Sequence, residues 1–451
     1  MKINEYLQKV KNKEISVIKN TKKILAEAEK ANKKYNFFTV ISKDLALELA
    51  EKQEKSPHGK LSGLPISIKD CVCVKNIESR AGSEILSSYK PVFNAAVVSK
   101  LISEGAIIIG KTSQDEFGFG GFSVNTKKIP KNPLDSERSC GGSSGGAAGF
   151  TSFTSFPHIA IAESTGGSIA NPASFCGVAG LTPTYGLVSR YGLIDYANSL
   201  DKIGTMGKTV DEAFLGLFNI LGYDQKDSTS LPYEINPDKK VKKIAVIKES
   251  LEINQEIKNL VLSKIKDYDI ISLPLIKKYG IPTYYLIALT EASTNLAKYC
   301  GLRYGATLPL SGDFNDFFSK VRSKYFQKES KRRIILGTFA RMAGFRDAFY
   351  LKAMKTRTLI INEYKRAFKK YDVLVSPTMP IIAPKFSEIK KLTPLENYMM
   401  DILTVGPNLA GLPHLSLNSG FIKKMPVGIM LIADHLQENK LKTLGEEIER
   451  S

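Results

Sequence analysis

The sequence predicts an α/β fold. Two observations carry that expectation. Short apolar strand candidates alternate with helical stretches over the first part of the chain. Strand candidates then return near the C-terminus, after a helix-rich interval. The length of 451 residues is enough for one large α/β core or two to three smaller ones. With 43% apolar and 24% charged residues, the composition is that of an ordinary folded enzyme.

In chain order, residues 4–34 are expected to be helical, with Tyr6, Val10, Ile15, Ile18, Leu25 and Ala28 at roughly helical spacing. A second helix covers Lys43–Glu54. Breakers at Pro57-His58-Gly59 and Gly63-Leu64-Pro65 open the next region, where Leu64–Lys69 is a strand candidate. A helix around Ala96–Glu104 follows, then the short apolar strand Ala106–Ile109, of the kind buried in parallel sheets. From about 211 to 350 long helices dominate, interrupted by a strand over Lys243–Ile247 behind the basic run Asp238–Lys243. Glu291–Tyr299 and Lys331–Lys370 are expected to be helical. Strands over Asp372–Val375, Leu415–Leu417 and Val427–Ile432 bring the sheet back, so the helical stretch reads as an inserted layer. The chain is accordingly divided into an N-terminal helical segment (1–58), a core (59–210), a helix-rich part of the same domain (211–350) and a C-terminal part completing the sheet (351–451).

The formal net charge of +19 raises a nucleic-acid reading. Lysines fall on nearly every predicted helix and not on one stripe, so charge alone does not decide the matter. Cys71, Cys73, Cys140, Cys176 and Cys300 are an odd number in a long chain, which argues against a disulfide framework. Cys71-Val-Cys73 has the wrong spacing for a zinc knuckle, and His58, His158, His414 and His435 are scattered. No metal is expected. The first residues have no apolar leader core and no stretch approaches a membrane span, so a cytoplasmic protein without membrane contact is expected.

Gly105-Ala-Ile-Ile-Ile-Gly110-Lys111-Thr112 matches the phosphate-loop pattern GxxxxGK[ST] letter for letter. The spacer residues are themselves the strand candidate, which leaves no loop whose amides converge on a phosphate. An ATP site is not expected here.

Two serine-glycine clusters carry more chemistry. They are Cys140-Gly-Gly-Ser-Ser-Gly-Gly146 and Glu163-Ser-Thr-Gly-Gly-Ser168, both downstream of Ser67-Ile-Lys-Asp70. Neither cluster contains a histidine, so a serine nucleophile there needs another base, and a lysine kept neutral by burial can supply it. Gly/Ser runs are often linkers. Here Pro133, Arg138 and the small-residue run Gly145–Gly149 flank the first cluster, and the Lys69 strand precedes both. Together with Asn171-Pro-Ala after the second cluster, this set resembles the amidase signature family over about residues 60–432.

The resemblance implies that family's mixed central sheet with helices on both faces, and a Ser-Ser-Lys site. Ser168 would be the nucleophile, Ser143 the bridging serine on a cis peptide, and Lys69 the base. The backbone amides of Thr165, Gly166, Gly167 and Ser168 would form the oxyanion hole. A neutral Lys69 would accept the proton of Ser143 while Ser143 accepts that of Ser168, returning it later to the leaving ammonia. Glycines at 166 and 167 are expected to permit unusual backbone angles and bring amide hydrogens to the oxyanion. Asp70 is expected to point away into structural hydrogen bonds.

Further segments narrow the resemblance. Tyr185–Gly192, Ser199–Gly204, Glu291–Ala297, Arg303-Tyr-Gly305, Lys331–Thr338, Tyr398–Thr404 and Asn408–Pro413 resemble the A-subunit branch of Glu-tRNA(Gln)/Asp-tRNA(Asn) amidotransferases. That implies a glutaminase passing ammonia to a B subunit, where ATP and magnesium activate misacylated tRNA, with a small C subunit wrapping both. No cofactor is expected in this chain, and tRNA contact is expected mainly through the partner. By motif position, Arg333 would take the α-carboxylate of glutamine and Asp401 its α-ammonium, with Tyr284 or Tyr285 nearby. A planar guanidinium suits bidentate carboxylate binding.

Departures from the family pattern keep other readings open. The family usually has an aspartate where Ser164 stands and an arginine where Ala170 stands, paired near the nucleophile. Losing both avoids stranding one buried charge. The stretch between Ser143 and Ser168 is one residue longer than usual, Gly120–Asn125 lacks the usual serine-rich form, and the C-terminal tail is short. The alternatives are a stand-alone amidase of a small amide, a catalytically degenerate scaffold protein, and a direct nucleic-acid binder.

Overall fold

The computed structural model describes residues 1–451. Its strands, in chain order, are β1 (Phe38–Ile41), β2 (Pro65–Lys69), β3 (Ile107–Thr112), β4 (Ile159–Ser164), β5 (Ala179–Thr182) and β6 (Lys202–Gly207). They continue with β7 (Ile244–Ile247), β8 (Tyr268–Ile271), β9 (Val373–Pro377), β10 (His414–Ile422) and β11 (Met425–Ala433). All eleven belong to one sheet, in the order β1-β3-β2-β4-β6-β5-β10-β11-β9-β7-β8. Two parallel groups, β3-β2-β4 and β9-β7-β8, are joined through the antiparallel strands β6, β5, β10 and β11. The sheet is therefore mixed, as expected.

Every residue of β2, β3, β4, β6, β9 and β11 is buried. Successive strand residues face opposite sides, so both faces of the sheet are covered. One cluster of 104 buried hydrophobic residues runs from Ile3 to Ile448 and includes residues of the inserted helices as well as the sheet. No helix is long and apolar enough to cross a membrane.

The helix expected over residues 4–34 is two helices, Ile3–Lys11 and Val17–Tyr35. Lys13 takes a left-handed φ of 59° between them. Ser16 then starts the second helix by accepting from the Lys19 N–H at 3.2 Å, so a cap outweighs continuous periodicity. The expected Lys331–Lys370 helix is likewise broken, into Lys328–Arg341 and Lys352–Phe368. Gly344, at φ 85°, lies in the break, followed by a π-turn over Asp347–Leu351. Glu291–Tyr299 is not a separate helix. It begins inside Pro274–Asn295, which runs on through Pro282, and ends in the 3-10 turn Leu296–Lys298.

The strand anticipated over Ala106–Ile109 extends to Thr112, so Gly110, Lys111 and Thr112 are strand and not loop. Lys111 is fully buried, and its Nζ donates to the Asp70 carbonyl at 3.1 Å and the Ser79 hydroxyl at 2.8 Å. The phosphate-loop match is thus an interior strand. Strands β1, β4, β5, β6 and β8 have no counterpart among the strands expected from sequence, and β4 is the one that positions the site.

Candidate active site

Lys69 closes β2, and Glu163 and Ser164 close β4, its parallel neighbour. The turn carrying Ser143 enters between them, ahead of the helix Gly145–Phe153. Lys69 is fully buried. Its Nζ donates to Ser143 Oγ at 2.8 Å, to the Glu163 carbonyl at 2.9 Å and to Glu163 Oε2 at 2.8 Å. An ammonium has three hydrogens, and each has an acceptor here. The Gly142–Ser143 peptide is cis. Ser143 is fully buried whereas Ser168 is 8% exposed, so the outer serine is the one a substrate can reach.

The second step of the expected relay is not made by side chains. The Ser144 N–H donates to the Ser168 carbonyl at 3.3 Å, which ties the two clusters together, while Ser168 Oγ bonds no protein group. Catalytic hydrogen bonds are commonly loose before substrate arrives and tighten with it.

Glu163 is the residue that sequence reasoning missed. In the sequence it stands only as the first letter of a serine-glycine cluster, yet it pairs with Lys69 at 4% and 0% side-chain exposure. The one visible signal is a lone carboxylate ending the apolar run Ile159-Ala-Ile-Ala. Residues 163 and 164 point to opposite faces of β4. Glu163 faces the lysine, and Ser164 Oγ is left buried without a partner. The carboxylate that the family resemblance places at 164 is thus absent there, and one stands a position earlier on the other face. Asp70 accepts from the Arg80 and Gly82 N–H groups, turned into structural bonds as expected.

Behind Glu163 the chain of contacts continues. The Thr165 hydroxyl lies 2.8 Å from both Glu163 Oε1 and Asp201 Oδ1. Burial first, and the Glu163 charge second, push the Asp201 carboxyl well above the usual carboxylate range. Asp201 also accepts from the Tyr196 and Ala197 N–H groups, and the single hydroxyl hydrogen of Thr165 serves one of the two carboxylates at a time.

No backbone carbonyl accepts from the N–H groups of Thr165, Gly166, Gly167 or Ser168. Those four donors line the strand-to-helix turn before Ala170–Cys176, where a developing oxyanion can use them. The glycines are needed for closeness and not for unusual angles, since neither has a positive φ. A Cβ at 166 would sit 2.4 Å from Tyr284 Cζ, and one at 167 would sit 2.3 Å from Thr404 Oγ1. Gly166→Ala is expected to cost about 1–3 kcal/mol of stability through overpacking. Thermal denaturation checks this, and an unchanged Tm would show that the Tyr284 ring yields freely.

Arg333 and Asp401 flank the same region. Arg333 is 3% exposed and ringed by Phe119, Tyr285, Tyr398 and Tyr196, at 5.1 to 5.8 Å from guanidinium to ring centre. Its Nε donates to Glu329 at 2.8 Å and its Nη1 to the Tyr196 hydroxyl at 2.7 Å. Two of its donor atoms are therefore engaged, and Glu329 and Tyr196 are positioning groups that the sequence did not reveal. Asp401 accepts from the Tyr285 hydroxyl at 2.7 Å, and burial pushes its carboxyl up to about 6. It is not a side-chain N-cap: its backbone carbonyl, not its carboxylate, meets the Thr404 and Val405 N–H groups. A cleft of about 740 Å³ opens beside Gly120, Gly121, Tyr285, Glu329, Arg333 and Tyr398. Ser168 does not line it. The site as a whole joins a buried amine–hydroxyl contact, a reachable serine, a turn of free amide donors, and a cation and an anion set in aromatic walls.

The family described as Amidase matches residues 19–441. The A subunit of the Glutamyl-tRNA(Gln) amidotransferase of Archaeoglobus fulgidus is 42% identical over 455 residues, covering 99% of this chain and 98% of its own. The crystal structure of the corresponding A subunit of the Thermotoga maritima Glutamyl-tRNA(Gln) amidotransferase has a TM-score of 0.80 at 32% identity, covering 100% of this chain and 94% of that one. A 6-aminohexanoate cyclic dimer hydrolase shares the fold, with a TM-score of 0.86 at 19% identity and coverage of 100% of this chain and 96% of its own.

Proposed function

Since the chain belongs to the amidase family, we propose that it is the glutamine-hydrolysing A subunit of a tRNA-dependent amidotransferase. The observation that carries this reading is the buried Lys69–Ser143 contact next to the reachable Ser168, within a chain that aligns end to end with such subunits. Ser168 attacks the side-chain amide of glutamine, and the N–H groups of the Thr165–Ser168 turn hold the oxyanion. Ser143 passes the proton between Ser168 and Lys69. Ammonia leaves, and water releases glutamate from Ser168.

A partner B subunit holds ATP and magnesium and consumes the ammonia on misacylated tRNA, and a C subunit joins the two. The protein is cytoplasmic in this reading, and tRNA meets mainly the partner. Its excess of positive charge is not needed for the chemistry.

Arg333 binds the α-carboxylate of glutamine through the edge that Glu329 leaves free, and Asp401 binds the α-ammonium. Asp401→Asn is expected to raise KM for glutamine about 10- to 100-fold, the worth of one charge-assisted hydrogen bond, with kcat much less affected. In the unsubstituted protein KM should climb as pH falls through about 6, where the Asp401 carboxyl takes up a proton and loses its charge. Steady-state glutaminase kinetics of the assembled complex test both. An unchanged KM in the variant, with brisk turnover of amides lacking an α-carboxylate, would favour the stand-alone amidase instead.

A further inference from the structure

We propose that Glu163 is the proton store of this site, a positioning residue that takes the Lys69 proton before the lysine acts and returns it afterwards. The proposal rests on the reading of Ser168, Ser143 and Lys69 given above. With all three ammonium hydrogens of Lys69 donated, no lone pair faces Ser143. A base in that state accepts nothing. Lys69 has no exposed surface, so the proton has no direct way to water. Of its three acceptors, the Glu163 carboxylate is the basic one, and Oε2 is 2.8 Å away.

The step balances within the protein. One Nζ proton moves to Glu163 Oε2, leaving a neutral amine and a neutral acid. The amine turns about its Cε–Nζ bond to present its lone pair to Ser143 Oγ, at the same hydrogen-bond distance. Nζ then takes the Ser143 proton while Ser143 takes that of Ser168, and Ser168 Oγ bonds the amide carbon. The same proton travels back through Ser143 to the leaving nitrogen as the C–N bond breaks. Glu163 finally returns its proton to Nζ.

The surroundings of Glu163 suit a group that alternates between acid and carboxylate. The Thr165 hydroxyl lies against its other oxygen and equally against Asp201. Lys69 is its one cationic contact. Asp115, pushed up to about 7 by burial, lies within the field of Lys69, while Cys71 and Tyr196 are uncharged neighbours raised by burial. Gly118 leaves room between Ser143 Oγ and Glu163 Oε2 that a Cβ would enter at 3.5 and 3.7 Å.

The test is the pH profile of kcat for glutamine hydrolysis in the assembled complex, for the unsubstituted protein, Glu163→Gln and Glu163→Asp. With a store inside the site, the unsubstituted protein sets the reference acid limb. In Glu163→Gln the lysine proton must leave to solvent, so turnover at neutral pH should fall about 100-fold or more and recover toward high pH. The acid limb then moves up by about 2 pH units or more. Glu163→Asp should restore much of the original profile. An acid limb of Glu163→Gln that coincides with that of the unsubstituted protein, or moves to lower pH, overturns the proposal. If Glu163→Gln does not fold, Glu163→Ser is judged by the same limb, and inactivity at every pH in a folded variant overturns it too. None of these results touches the parent reading, which is tested separately through Lys69, Ser168 and Asp401.

Discussion

Ser168→Ala is expected to lower glutamine hydrolysis by at least about 10⁴-fold while leaving the fold unchanged. The magnitude follows from what Ser168 supplies. It is the reachable hydroxyl beside the buried Ser143, and it stands on the turn whose four amide N–H groups have no backbone acceptor. Removing it takes away the atom that forms the bond to carbon in the proposed mechanism, and the amide donors alone would retain only residual rate over water. The unchanged fold follows from what Ser168 Oγ does not do, since it bonds no protein group and its loss strands no donor or acceptor. The assay is ammonia release from glutamine by the assembled complex, with the Tm as control. A second arm separates a glutaminase from a scaffold. If this chain only supplies ammonia, ammonium salt added to the Ser168→Ala complex should restore amidation of misacylated tRNA. A variant that still hydrolyses glutamine at the original rate would make this chain a scaffold and move the chemistry elsewhere.

The parts legible in the sequence are those where one residue type has few alternatives. Lys69 at the end of an apolar strand, the two serine-glycine turns and the breakers around them fall where they are expected. Local helix periodicity is a poorer guide. It runs through Lys13 and Gly344, where a left-handed residue ends one helix before the next begins. It also misjudges Pro274–Asn295, where packing carries a helix past Pro282.

The site's electrostatics are the least legible part. Glu163 meets Lys69 across 94 residues of chain and Arg333 meets Tyr196 across 137, so neither pairing leaves a local pattern. That Ser164 and Ala170 stand where the family resemblance implies a charged pair is visible in the sequence, but the role of the carboxylate standing one position earlier is not. That difference turns on which face of β4 each residue occupies, and β4 itself carries no strand signal strong enough to stand out from the glycine-serine stretch beside it.

Lys69→Met is the substitution in which fold and chemistry separate least cleanly, and the structure says how to separate them. If Lys69 acted only as the base, methionine in its place would abolish hydrolysis and leave the fold intact. The Glu163 contact changes that expectation. Lys69→Met removes the only cation paired with a carboxylate whose side chain is 4% exposed. Removing one partner of a buried pair costs about 3–5 kcal/mol, because the other charge stays behind. The single variant is therefore expected to be both inactive and markedly less stable, and inactivity alone would not distinguish a lost base from a loosened site. The double variant Lys69→Met, Glu163→Gln resolves this. With the stranded charge removed, most of the lost Tm should return, whereas glutamine hydrolysis should stay at the level of the single variant. Differential scanning calorimetry and ammonia release on the same preparations give both readings. Recovery of activity along with stability would mean that Lys69 holds the fold and some other group moves the proton; recovery of neither would mean that Glu163 and Lys69 do not share one energetic pair.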